Sequence, residues 1–152
     1  EYLKQLSDEE YGKRLFDFVS RTFDLRLVPL IKARAQTLQE AAELLQEYNF
    51  FDDISYDPAV LLNNGKISAE VASKHLEAVA ELLERIPNER FTSTQLKDIL
   101  WPYATLEGRG EVLWPLRTAL SGKEKSPDPF TIAHLLGKEK TLARIAQAIK
   151  SL

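Results

Sequence analysis

Ser68-Ala-Glu-Val-Ala-Ser-Lys-His-Leu-Glu-Ala-Val-Ala-Glu-Leu-Leu-Glu-Arg-Ile86 decides the fold class. Ala72, His75, Leu76, Val79, Leu82, Leu83 and Ile86 recur at i, i+3, i+4, i+7 spacing and form one apolar stripe on a helix. The helix is expected from about Ser68 to Arg85, and Pro87 ends it. Upstream, Asn63-Asn64-Gly65 reads as a turn, and Asp57-Pro58 as a helix start with proline in the first helical position. Downstream, Thr92-x-x-Gln95 is a capping box opening a helix through Leu96, Ile99 and Leu100, which Pro102 is expected to break or kink.

The same signals continue to both ends. Ser7 before Asp8, Glu9 and Glu10 is an N-cap with acidic residues in the first turn, and Leu15, Phe16, Val19 and Phe23 follow at helical spacing. Leu27 to Ala33 is a short helical stretch around Pro29. Thr37-x-x-Glu40 caps another that carries Leu38, Ala41, Leu44 and Leu45. Asn49 to Tyr56 interrupts the pattern. Gly108-Arg109-Gly110 reads as a turn before a helix from Glu111 to Ser121, with Pro115 marking its start or a kink. Ser126-Pro127 reads as N-cap plus proline before Phe130, Ile132, Leu135 and Leu136, and a last helix places Leu142, Ile145, Ile149 and Leu152 on one face. Leu135, Leu136, Leu142 and Ile145 are expected core. No strand pattern of useful length occurs. The fold class is all-α, a compact array of short helices.

The 152 residues suit one domain or two small subdomains, and 44% apolar content suits a globular chain. No apolar run approaches the ~18 residues of a membrane span, and the first ten residues carry no secretory signal. Absent cysteine excludes disulfides and thiolate metal sites and fits the cytoplasm. With Glu1 first and no methionine, the chain reads as an excised or processed piece. The net charge of −3 is uneven. Residues 109–152 hold eight Lys/Arg and four Asp/Glu, a net of +4, which leaves −7 on residues 1–108. A phosphate-binding surface therefore belongs to the C-terminal third, if the asymmetry has meaning. His75 and His134 lie far apart among aliphatic residues and read as structural rather than metal ligands or bases. No phosphate-cradling loop, nucleophile elbow or zinc motif is present, so the chain reads as a binding module without catalytic residues.

Three linked motifs go beyond composition. Leu113-Trp-Pro-Leu-Arg-Thr-Ala-Leu-Ser-Gly122 is followed by Ser126-Pro127-x-x-Phe130 and then by Leu135-Leu-Gly-Lys-Glu-Lys-Thr-Leu-Ala-Arg144. This series resembles the C-terminal signature of bacterial glutamyl-tRNA synthetases: P-L-R-x-A-L-S/T-G, a short loop, S/T-P-x-x-F, and L-L-G-K/R-D/E-x-x-L-x-R. Leu30-Ile-Lys-Ala-Arg34-Ala-Gln-Thr-Leu38 is similar to the family's L-x-x-x-R-x-x-T/D-L turn.

The resemblance implies an α-helix-cage anticodon-binding region in two helical subdomains, residues 1–48 and 49–152. The partners it implies are the tRNA(Glu) anticodon loop and an N-terminal catalytic domain that uses ATP and Mg for aminoacylation. This region alone would be a non-catalytic, cytoplasmic monomer holding no cofactor or metal.

By the same resemblance, Arg34 matches the arginine that reads the third anticodon base. Cytosine there offers adjacent acceptors to an all-donor guanidinium, whereas guanine offers donors. The bland alternative is a surface arginine capping a short helix. Arg117, Ser126 and Pro127 match positions that meet the first two bases, or else are a helix-surface arginine and an ordinary cap. Trp114 either stacks on a base or packs between helices. Lys123, Lys125, Lys138 and Lys140 are candidate phosphate contacts or a solvated basic face. The rival function is a helical protein-docking domain of the same ancestry that no longer reads tRNA.

Overall fold

The computed structural model describes residues 2–20, 23–48, 50–51 and 54–152. Among them lie ten α-helices and no strand. The all-α expectation holds. The chain divides into two compact units, Glu1–Phe51 and Asp52–Leu152. Asn49, Asp52 and Asp53, within the expected interruption, lie outside the described residues.

The first unit contains α1 (Tyr2–Gln5), α2 (Asp8–Val19), α3 (Val28–Arg34) and α4 (Leu38–Glu47). Ser7 caps α2 by accepting from the Glu10 amide, and Thr37 caps α4 by accepting from the Glu40 amide. Both sites satisfy an amide that has no partner inside its own helix. A 3-10 turn at Leu25–Leu27 leads into α3. Helices α2, α3 and α4 pack on one another around Tyr11, Leu15, Val28, Ile31, Ala41 and Leu45. Phe16, counted in the expected stripe of α2, is 45% exposed.

The second unit contains α5 (Pro58–Leu61), α6 (Ala69–Glu84), α7 (Ser93–Glu107), α8 (Arg109–Ser121), α9 (Pro129–Leu136) and α10 (Lys138–Ser151). Asp57 caps α5, Ser68 caps α6 and Thr92 caps α7. Helix α8 touches α5, α6, α7, α9 and α10. It buries Val112, Pro115, Leu116, Thr118, Ala119, Leu120 and Ser121. A helix buried nearly all round has no polar face to show as a period in its sequence.

Four expectations are corrected. Of the expected break or kink at Pro102, the break does not occur: helix α7 runs on through it. Pro102 and Asp98, whose carbonyl loses its donor, are both exposed, so water can serve that carbonyl. Gly108 alone, at φ +114°, makes the corner, so α8 starts at Arg109 and Pro115 lies inside it. Helix α9 starts at Pro129 with Asp128 as its cap, not at Pro127 with Ser126. The residue before a proline is pushed out of the helical region, so Pro129 holds Asp128 extended at ψ 156° and keeps Ser126–Pro127 in the preceding loop.

The last correction concerns the core. Leu136 and Ile145 are buried, but Leu135 and Leu142 are only half-buried. The inner face of α10 is Thr141, Arg144, Ile145 and Ala148, because the polar atoms of Thr141 and Arg144 find carbonyl partners inside.

Candidate nucleic-acid interface

Arg117 lies in the penultimate turn of α8 and is half-buried. Its guanidinium carbon sits 4.9 Å from the centroid of the Trp114 ring, three residues earlier on the same helix face. Its Nη1 donates to Ser126 Oγ at 3.2 Å, and Ser126 Oγ–H in turn donates to the Pro127 carbonyl at 3.0 Å. Among the described residues this is the only hydrogen bond of the Arg117 side chain, and no carboxylate forms an ion pair with it. Burial holds the guanidinium below the usual arginine value, and the Glu124 carboxylate opposes that shift. Four N–H donors thus remain on a partly desolvated, stacked cation.

Trp114 is itself anchored. Its indole Nε1 donates to the Val60 carbonyl on α5 at 2.7 Å. The indole therefore orients Arg117 and joins α5 to α8. Pro127, beside Ser126, is buried. Lys123 is half-buried and Lys125 exposed in the same loop. Lys138 donates to the Glu84 carbonyl at 2.8 Å, closing the end of α6, while Lys140 is exposed on the first turn of α10. The structure brings Trp114, Arg117 and Ser126 together, while Lys138 and Lys140 stand on another helix.

The loop that carries Ser126 is held from beneath. Arg144, 4% exposed, donates from Nη1 to the Leu120 carbonyl at 2.5 Å. The Tyr56 hydroxyl lies 2.6 Å from the Ala119 carbonyl and 3.0 Å from that of Arg144. Ser121 Oγ bridges the loop, donating to the Arg117 carbonyl at 3.0 Å and accepting from the Lys123 amide at 3.1 Å. Gly122 turns the chain at φ +71° with Ile54 and Ser55 directly against it. Sequence reading gave Arg144 and Tyr56 no role. Arg144 stands in the third motif, but nothing local shows that it points inward.

In the first unit, Arg34 is the last residue of α3 and is exposed. Its guanidinium lies 6.0 Å from the Tyr48 ring, and among the described residues it makes no hydrogen bond or ion pair. Lys4 donates to the Ala33 carbonyl at 3.3 Å, so the capping of this helix end falls to Lys4. Lys32 is taken up by the Leu6 carbonyl and by Asp8.

The family model of the anticodon binding domain matches residues 1–149. The chain belongs to this family. As an anticodon binding domain it has close curated relatives among glutamate–tRNA ligases. It is 33% identical to that of Dehalococcoides mccartyi over 165 aligned positions, covering 99% of this chain and 33% of the relative. The corresponding values for Clostridium tetani are 34% over 161 positions, 100% and 32%. Among solved structures, a glutamate tRNA ligase from Elizabethkingia meningosepticum, described in complex with its amino acid, superposes with a TM-score of 0.72. Identity there is 25%, over 99% of this chain and 30% of that one. The chain spans about a third of the length of the curated relatives it matches.

Two further features of this anticodon binding domain bear on chemistry. His75, 3% exposed, bonds through Nδ1 to the Tyr103 hydroxyl at 2.8 Å, while His134 is exposed with Nδ1 3.3 Å from the Phe91 carbonyl. Among the described residues no group of three or more His, Asp or Glu is placed to hold a metal ion, and no helix is long and apolar enough to cross a membrane.

The Tyr56 clamp has a pH signature. Burial pushes its hydroxyl up to about 12 from an ordinary 10, against the opposing charge of Arg144. An acid whose folded value is raised stabilises the fold in its protonated form. That stability is complete below pH 10 and is lost as pH rises through about 12. Melting temperatures taken from pH 8 to 12 should therefore fall less steeply for Tyr56→Phe than for the unaltered chain, since phenylalanine has no proton to lose. Parallel curves would refute the clamp.

Proposed function

We propose that this chain is the anticodon-reading, C-terminal region of a glutamate–tRNA ligase. ATP- and Mg-dependent aminoacylation is carried by the remainder of that enzyme, in the cytoplasm. The observation that carries the reading is Arg117: a half-buried guanidinium, stacked on Trp114 and steadied by Ser126, with four donors unused. A cation in this state suits the acceptor edges and phosphates of a splayed RNA loop. Trp114 is proposed to orient Arg117, and Ser126 and Pro127 to shape the loop around the first two anticodon bases. Lys123 and Lys125 supply phosphate contacts beside them, and Lys140 a more distant one.

Arg34 is proposed to read the third base. Its guanidinium makes no hydrogen bond among the described residues, and its fork of donors suits cytosine O2 and N3 while meeting donors on guanine. A good paired base contact is worth about 1–3 kcal/mol in DNA, or roughly 5- to 150-fold, and the same scale is expected here.

The test is filter binding of the chain to two anticodon stem-loops that differ only in cytosine or guanine at the third anticodon position. The unaltered chain should prefer cytosine. Arg34→Gln, which supplies both a donor and an acceptor, should lower that ratio mainly by admitting guanine, whereas Arg117→Ala should weaken both loops. Equal affinity for the two loops before and after Arg34→Gln would reduce Arg34 to a non-specific contact.

A second reading, a protein-docking module, draws on an open apolar groove in the first unit. Its apolar lining includes Gly12, Phe16, Leu25, Val28 and Pro29, with Leu25 70% exposed, and Asp8, Glu9, Lys13 and Asp17 also line it. Absence of any salt-dependent RNA binding would favour it.

A further inference from the structure

Trp101, half-buried in α7, carries two cations on one ring. Lys97 Nζ lies 5.2 Å from the ring centroid, one helical turn earlier, and the Arg109 guanidinium carbon lies 4.7 Å from it. Arg109 reaches the indole because Gly108, at φ +114°, folds the start of α8 back beside α7. The ring is fixed by Phe130, whose centroid is 6.5 Å away in an edge-on arrangement at 60°. Phe130 belongs to the first turn of α9, the helix entered directly from Ser126–Pro127.

Both cations are exposed. Asp98, Glu107 and Glu111 are the carboxylates nearest in sequence, yet among the described residues neither cation forms an ion pair. In the first unit, by contrast, Lys13, Arg26 and Lys32 each pair with a carboxylate. The cluster does little for folding. Exposed cation–π contacts contribute weakly, and Arg109 opens α8, where a positive charge opposes the helix dipole. A local choice made against stability is a mark of a functional position. A cation–π contact uses no hydrogen-bond acceptor, so the N–H groups of the arginine and the lysine that do not face the ring stay available to one.

We propose that Lys97, Trp101 and Arg109 form a second RNA contact, a phosphate clamp that holds the backbone of the loop read by Arg117. This rests on the anticodon-reading proposal. It assigns the cluster a sequence-independent role: the ordered cations fix the register of the strand, and base choice stays with Arg117 and Arg34.

The experiment is filter binding of the 152-residue chain to a labelled anticodon stem-loop across a salt series. The variants are Lys97→Gln/Arg109→Gln and Arg109→Lys. Each single-strand phosphate contact contributes about 0.7 to the slope of log affinity against log salt, so the double variant should lose about 1.4. Its preference for cytosine over guanine should be unchanged, and Arg109→Lys should keep most of the slope. Parallel salt plots for the unaltered chain and the double variant would overturn the clamp and leave the anticodon-reading proposal standing. Weaker binding at unchanged slope would also overturn it, because a structural or protein-docking role predicts that pattern. No binding by the unaltered chain would overturn both.

Discussion

Arg144→Ala is expected to cost the second unit about 3–5 kcal/mol, with a fall in Tm of more than about 15 °C. Two effects add. The Leu120 carbonyl, which Arg144 meets at 2.5 Å, loses its donor in a site closed to water, at about 1–3 kcal/mol. The deleted side chain, 4% exposed, leaves a void between α8 and α10. Arg144→Met separates the two, since it fills the space without donors and should retain the smaller cost alone. Thermal denaturation followed by circular dichroism is the measurement. A loss below about 1 kcal/mol for Arg144→Ala would mean that the end of α8 is not held from below.

Gly122→Ala is expected to destabilise the second unit by about 2–5 kcal/mol and to weaken RNA binding further than stability alone explains. At φ +71° an added Cβ carries a backbone cost of about 1–2 kcal/mol. That Cβ would also stand 3.2 Å from Ile54 Cβ and 3.4 Å from the Ser55 carbonyl oxygen, an overpacking worth about 1–3 kcal/mol. Gly65→Ala is the internal control: at φ +87° with nothing within 4 Å, it meets the backbone cost only. Equal losses at the two glycines would show that Ile54 and Ser55 yield freely. The effect on binding follows from position, since Gly122 begins the loop that presents Ser126 to Arg117.

Much of the helical framework was legible because its signals are local. A cap joins atoms three residues apart, as Ser7 to Glu10, Thr37 to Glu40 and Thr92 to Gln95 do. The stripe through Ala72, Leu76, Val79 and Leu83 is buried as its period requires. The start of α9 was also open to local argument. Of the two proline pairs in Ser126-Pro-Asp-Pro129, only the second leaves Asp128 extended.

The sequence by itself determined an all-α chain of short capped helices, and its linked motifs marked Arg117 and Ser126 as residues that belong together. Only the tertiary structure decided that α8 is central, that Thr141 and Arg144 face inward, and that Trp114 spends its N–H on Val60. The physical reason is range. Periodicity and capping report on neighbours within a turn or two, whereas the hydroxyl of Tyr56 meets carbonyls 63 and 88 residues along the chain. A buried arginine looks like any surface arginine until the carbonyl it satisfies is brought to it by packing.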